Sequence, residues 1–188
     1  ELSYLQILRE NSARMEELIS DLLVISRIEG GGFSFKKQET SLGELVEKII
    51  VRFSPLAQAS NVKVVLSIPP DFPSVFIDPS HVSLVMENLL DNAIRYIKGK
   101  GRVDIVIYQK GGNFRIELKD NGIGIPEDDQ KYVFHKFFRG ENAPKQQTQG
   151  SGLGLYIARL IVEKSGGKIG FVSKAGQGTT FWFTLPIR

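Results

Sequence analysis

The chain has 188 residues, 41% of them hydrophobic and 24% charged, which is enough for one sizeable core and less than two average domains. Its 24 Lys and Arg against 21 Asp and Glu leave a net charge of +3, too small and too evenly spread for a nucleic-acid-binding surface. The absence of Cys excludes disulfide scaffolds, thiolate metal sites and Cys nucleophiles, and no apolar run reaches the ~18 residues of a membrane span.

Residues 1–28 read as one long helix. Leu5, Leu8, Met15, Ile19 and Leu22 follow alternating steps of three and four, with Ser12 and Ser26 in the remaining places. That is a heptad seam suited to a partner helix. Leu2, Leu18, Leu23 and Ile25 widen the apolar face, as a helix packed on its own domain would require. The Gly30-Gly31-Gly32 break separates the helix from the rest of the chain and favours the intermolecular reading.

Phe33 and Phe35 then alternate as a short strand. Ser41 with Glu44 is a capping box for a helix whose inward face is Leu42, Leu45, Val46, Ile49, Ile50 and Phe53. Val62–Ile68 and Ser74–Ile77 read as strands, broken by Pro69-Pro70. Asp78-Pro79-Ser80 caps a helix running to about Lys98. Val103, Ile105 and Ile107 alternate on one strand and Phe114, Ile116 and Leu118 on the next, with Gly111-Gly112 as the hairpin turn. Residues 127–138 read as helical and 139–151 as a polar loop with Lys145, Gln146, Gln147 and Gln149. A helix over Leu153–Lys164 and a hairpin of Lys168–Ser173 with Thr179–Pro186 close the chain. Helices and strands sharing one core make an α+β, two-layer α/β sandwich, with a mixed, mainly antiparallel sheet covered by helices on one face and one long helix in front.

Eleven of the 19 Gly lie between Gly122 and Gly178, and the chemistry concentrates there. In Asp120-Asn121-Gly122-Ile123-Gly124-Ile125-Pro126 a strand ends in a carboxylate, and two glycines let the backbone turn sharply against a flat or charged partner. Gly150-Ser151-Gly152-Leu153-Gly154-Leu155 opens directly into a helix, whose unpartnered N–H groups suit an anion. Glycines so spaced also serve close helix packing. No Lys-Ser/Thr follows them, so this is not a P-loop. On the helix before these motifs, Asn88, Asn92, Arg95 and Tyr96 share one face at i, i+4, i+7 and i+8. Asn is a poor helix-interior residue, so two in register need a reason. Neutral amide oxygens can ligate a hard cation such as Mg²⁺ without neutralising it.

These motifs, in this order, resemble the catalytic and ATP-binding domain of bacterial sensor histidine kinases, among the Bergerat-fold ATPases that also include type II topoisomerases. Glu87–Ala93 matches the family's N box, Asp120–Gly124 its G1 box, Val133–Arg139 its F box and Gly150–Leu155 its G2 box, followed by Gly176–Phe181. Asn11, Leu22-Leu23 and Ser26-Arg27-Ile28-Glu29 look like the second helix of the dimerisation and phosphoacceptor hairpin. The resemblance implies two domains, 1–30 and 31–188. It also implies that Asp120 accepts a hydrogen bond from the adenine amine, where guanine presents an oxygen. Gly122 and Gly124 would bring backbone to the base, and Thr179 would support the Asp120 end. Asn92, with Asn88, would ligate Mg²⁺; Arg95 would reach phosphate and Tyr96 flank the nucleotide. Gly150, Gly152, Leu153, Gly154 and Leu155 would bring N–H groups to the phosphates. Arg139 would open the ATP lid of residues 139–151. Glu87 or Asn88 would polarise an attacking imidazole.

The implied activity is transfer of the ATP γ-phosphoryl to a His on the dimerisation domain, and thence to an Asp of a response regulator. Kinases of this type carry that His on the first hairpin helix, followed by an acidic residue, and nothing here matches it. His81 and His135 read as surface or packing residues, so the acceptor is expected upstream of residue 1. Homodimerisation through residues 1–28, no nucleic-acid partner, and a cytoplasmic domain of a membrane-anchored bacterial sensor complete the expectation. Two other readings stand beside it: a nucleotide-gated interaction module without phosphotransfer, and a Bergerat-fold ATPase or serine kinase. Topoisomerase-like members place a Glu where this chain has Asn88, and Asn cannot act as a general base, which disfavours efficient hydrolysis.

Overall fold

A computed structural model describes residues 2–32, 34–140 and 150–187. The chain runs α1 (Leu2–Glu29), β1 (Gln38–Thr40), α2 (Leu42–Ala59), β2 (Val62–Ser67), β3 (Val75–Ile77), α3 (Pro79–Arg95), β4 (Gly101–Lys110), β5 (Asn113–Asp120), α4 (Glu127–Gln130), α5 (Gly154–Lys164), β6 (Lys168–Ser173) and β7 (Thr179–Pro186). Five strands form one sheet in the order β2-β4-β5-β7-β6, and β1 pairs with β3 in a separate two-stranded sheet. Among the described residues, only β2 with β4 is parallel; the remaining pairs are antiparallel. The sandwich is therefore α+β with a mixed, mainly antiparallel sheet, as expected.

Period-two alternation decides which face of the sheet is covered. Val103, Ile105 and Ile107 on β4, Phe114, Ile116 and Leu118 on β5, and Phe181, Phe183 and Leu185 on β7 are all buried. Helices α3 and α5 meet them with Val85, Met86, Leu89 and Leu90 and with Ile157, Ala158, Ile161 and Val162. Local chemistry sets the helix starts. The Ser41 hydroxyl accepts from the Glu44 N–H, and the Asp78 carboxylate accepts from those of Ser80 and His81, with Pro79 in the first turn of α3.

Three local expectations need correction. Phe33 lies outside the described residues, and Phe35 lies in no strand; its ring meets His81 edge-on with centroids 5.3 Å apart, and the strand begins at Gln38 instead. Helix α3 stops at Arg95 rather than near Lys98, with Tyr96 as its C-cap. The helix expected over 127–138 covers only Glu127–Gln130. Beyond it the chain proceeds by turns, and Phe137 takes a left-handed φ of 62° that no helix can contain.

Helix α1 spans the predicted stretch and ends before Gly31, whose φ is +77°. Ile25 and Ile28 near its end are buried in the common core, and Leu18 and Val24 pack against it. The heptad seam does not share in this: Leu5, Leu8, Met15, Ile19 and Leu22 are all exposed, with Leu23 beside them. The side chain of Leu2 lies outside the described residues.

Candidate functional site

Strand β5 delivers Asp120 to the end of the sheet, beside Thr179 at the start of β7. The carboxylate is 6% exposed, and its Oδ1 accepts from the N–H groups of Gly122 at 2.8 Å and Thr179 at 3.2 Å. Oδ2 takes neither bond. Burial raises the Asp120 pKa above the usual carboxylate value, and the bonds from Gly122 and Thr179 partly offset that. Gly124 follows with φ +66°, packed so closely that a Cβ would overlap the Lys174 carbonyl.

Ser173 holds this end together. Its hydroxyl accepts from the Ile125 N–H at 2.9 Å, donates to the Gly178 carbonyl at 3.1 Å and lies 2.8 Å from the Thr179 hydroxyl. Sequence reading did not single it out, because the partners are brought together only by the β6–β7 hairpin.

An open cleft of about 1210 Å³, mouth included, extends from Asp120 to the N-terminus of α5. Ala93, Ile123, Ile125, Val133 and Phe181 form apolar parts of its lining. The lining also includes Asn88, Asn92, Arg95, Arg139 and Gly140 with Gly150, Ser151, Gly152, Gly154 and Leu155, and Tyr96, whose backbone carbonyl accepts from the Ile123 N–H at 3.0 Å next to the Asp120 turn. The Asn92 side-chain N–H donates to the Asn88 carbonyl at 2.8 Å, which leaves the Asn92 amide oxygen for another partner. The buried Asn88 side-chain nitrogen has no partner among the described residues. Turned one way this amide offers a donor to a phosphate oxygen, turned the other an oxygen to a cation. Gly154 admits that arrangement, since a Cβ there would stand 2.5 Å from the Asn88 amide oxygen. Gly152 is equally constrained, with φ +72° and its carbonyl accepting from the Phe137 N–H at 3.0 Å, which ties the 133–139 motif to the 150–155 motif.

Charge in the cleft is mixed. The Arg95 Nε donates to the Asp91 carboxylate at 2.6 Å. Burial raises the Tyr96 pKa, opposed by the nearby Arg139 charge. Among the described lining residues, Glu17, Asp91, Asp120 and Asp129 are acidic, against Arg95 and Arg139. A polyphosphate would meet net repulsion unless a cation accompanied it. Among the described residues no group of three His, Cys, Asp or Glu could hold a metal by itself. The donor set that does fit a hard cation is amide oxygen plus whatever oxygens the ligand brings.

Some predicted residues stand elsewhere. Glu87 pairs with Arg52 of α2 and does not line the cleft. Gly122 and Leu153 do not line it either: Gly122 supplies the N–H on Asp120, and Leu153 is a fully buried N-cap of α5. His81 pairs with Asp78 at 3.2 Å and His135 packs edge-on against Tyr132, so neither enters the site. Residues 141–149 of the expected lid, with Lys145, Gln146, Gln147 and Gln149, lie outside the described residues. The least foreseen member is Glu17, which α1 brings to the cleft wall.

The chain is similar to known proteins in sequence and in fold. The family described as Histidine kinase-, DNA gyrase B-, and HSP90-like ATPase matches residues 77–188. Sensor protein kinase WalK of Staphylococcus haemolyticus (strain JCSC1435) is 34% identical over 186 residues, which cover 98% of this chain and 30% of WalK. This chain thus spans about a third of that relative's length. The structure of full-length ShkA in complex with AMPPNP superposes with a TM-score of 0.85 at 24% identity, over 98% of this chain and 38% of ShkA. The histidine kinase ThkA in complex with response regulator protein TrrA gives a TM-score of 0.78 at 24% identity, over 98% of this chain and 51% of ThkA. With its two-layer fold, its carboxylate-ended cleft and this match over the larger part of its length, the chain belongs to the histidine kinase-, DNA gyrase B- and HSP90-like ATPases, as an ATPase domain of the sensor histidine kinase type.

Proposed function

We propose that the cleft binds Mg²⁺·ATP and that the chain is the nucleotide-binding part of a protein-histidine kinase, passing the γ-phosphoryl to a His outside residues 1–188 and from there to an Asp of a response regulator. The observation that carries this reading is the polarity of the cleft. Its lining combines a buried carboxylate and apolar side chains with a helix N-terminus and a buried amide nitrogen without a partner among the described residues.

The residues then take these roles. Asp120, fixed through Oδ1 by Gly122 and Thr179, presents its second oxygen to the adenine amine and disfavours guanine. Gly124 keeps the base plane clear. Asn92 and Asn88 hold the Mg²⁺, whose charge offsets that of the phosphates. The N-terminus of α5, with Gly152 and Gly154, receives phosphate oxygens through backbone N–H groups. Arg139 and Arg95 add positive charge, and Tyr96 closes the side of the pocket. Positioning and charge neutralisation carry phosphoryl transfer, so no general base is required within the cleft. Glu87, held by Arg52, acts from outside it, and any influence on the acceptor imidazole belongs to the assembled kinase. The exposed seam of α1 supports a homodimer through residues 1–28, and a response regulator as second partner is suggested by the ThkA–TrrA complex.

The test supplies the missing acceptor. The chain is incubated with γ-labelled ATP, Mg²⁺ and a dimerisation hairpin bearing an accepting His from a related kinase. Label appears on the hairpin as acid-labile phosphohistidine, and an Asp120→Asn variant abolishes it. Label found on Ser, or released as inorganic phosphate without passing through His, contradicts the reading.

A further inference from the structure

The dimerisation-type helix α1 does more than flank the cleft; it supplies part of its wall. Glu17 lines the cleft at the end where Asp91, Arg95 and the N-terminus of α5 stand. Asp21, one turn further along α1, accepts from the Ser151 hydroxyl at 2.6 Å. The same hydroxyl accepts from the Leu153 N–H at 3.1 Å. A short relay therefore runs from a carboxylate of α1 through Ser151 to the backbone that begins α5. This is the place at which phosphate oxygens would arrive.

The local charge opposes such an arrival. Asp21 and Asp91 both act on Glu17: burial first, then the charges of Asp21 and Asp91, raise the Glu17 pKa, while Arg95 and Arg14 lower it. Burial raises that of Asp21 and the Ser151 bond lowers it. Arg95 is already engaged by Asp91 at 2.6 Å. Beyond Asp21 the helix is held differently. Ile25 and Ile28 are buried, and Glu29 accepts from Tyr156 at 2.7 Å and pairs with Lys136 at 2.8 Å. The last two turns are thus anchored away from the cleft, and the turn carrying Glu17 and Asp21 is held by the Ser151 hydroxyl and by Leu18 against the core.

We propose that Glu17 and Asp21 are charge-discriminating residues of the nucleotide site: they disfavour the nucleotide with more phosphate charge, and a bound triphosphate displaces the Glu17–Asp21 turn from Ser151 while Ile25–Glu29 stays in place. The inference rests on the nucleotide-binding reading above. Its consequence is reciprocal by linkage: whatever lifts α1 off Ser151 tightens ATP, and ATP loosens α1. The residues differ from Asp120 in sense, since Asp120 selects the base and these two select against phosphate charge.

The experiment compares the parent with Glu17→Gln, Asp21→Asn and the double variant. Asn at position 21 can still accept from Ser151, so charge is removed with little change of shape. Affinities for ATP, ADP and adenosine are measured by calorimetry at fixed Mg²⁺. Hydrogen exchange of residues 14–22 is followed with and without ATP. The expected result is ATP binding about five- to tenfold tighter in the double variant, a smaller gain for ADP and none for adenosine. In the parent, ATP speeds exchange in residues 14–22 and leaves 25–29 protected. Unchanged or weaker ATP binding in the double variant overturns the proposal. Adenosine serves to separate the two readings: if the parent binds it and Asp120→Asn does not, the nucleotide site stands on its own. If the parent binds none of the three, both readings fall together.

Discussion

Asp120 shows how burial and function oppose one another at a single residue. Its raised pKa means that the folded chain holds a proton that the unfolded chain has already released. Between the ordinary carboxylate value and the raised one, stability therefore falls as pH rises, and above both it is level. Nucleotide binding as proposed has the opposite sense, because the carboxylate would be the acceptor: affinity should fall on acidification, starting above the usual carboxylate range. In Asp120→Asn one oxygen must take the Gly122 and Thr179 bonds, so the amide N–H groups face the adenine amine, donor against donor. ATP affinity should drop about 10- to 150-fold, corresponding to ~1.5–3 kcal/mol, while thermal denaturation shows a Tm no lower than the parent. A Tm that falls with the affinity would mean that the residue is structural. Gly154→Ala gives the complementary case. Its Cβ would meet the Asn88 amide, so the variant should lose about 1–3 kcal/mol by denaturant unfolding and weaken Mg²⁺-dependent ATP binding.

Among the elements, α1 divides its surface between two tasks. Ile25 and Ile28 join the core, and the seam from Leu5 to Leu22 faces outward. A Leu8→Glu, Ile19→Glu double variant should lose self-association in analytical ultracentrifugation. Its Tm should change little, since each position is more than half exposed and surface changes are worth about 0.5 kcal/mol. A seam that merely covers this chain's own domain would instead lose stability on the same substitution. Most elements were legible because their causes are local: the Ser41 and Asp78 caps, and the strict alternation along β4 and β5. The exceptions share a cause of the opposite kind. The polar-apolar pattern of 127–138 suits a helix, yet Phe137 is bonded to the Gly152 carbonyl and takes a left-handed backbone. Phe35 alternates with Phe33 like a strand residue, yet its ring is held by His81.

At the scale of the whole molecule the site assembles from both ends of the chain. Asn88, Asn92, Asp120 and the glycines could be read from sequence, because each motif carries its own chemical oddity: amides inside a helix, a carboxylate at a strand end, glycines before a helix. Ser173 and Glu17 could not, since Ser173 bonds Ile125 across 48 residues and Glu17 reaches the cleft only through the docking of α1. The charge balance that results, with more carboxylates than cations around the described lining, supports the proposed Mg²⁺. Chelation of Mg²⁺ should weaken ATP at least tenfold and leave adenosine unaffected. Whether the site built on Asp120 is adenine-selective and Mg²⁺-dependent is decided by calorimetric titration with ATP and GTP, with and without Mg²⁺, for the parent and Asp120→Asn. The expected outcome is Mg²⁺-aided ATP binding by the parent, rejection of GTP, and loss of affinity in the variant. Equal binding of ATP and GTP, or no binding by the parent up to millimolar ATP, would contradict it.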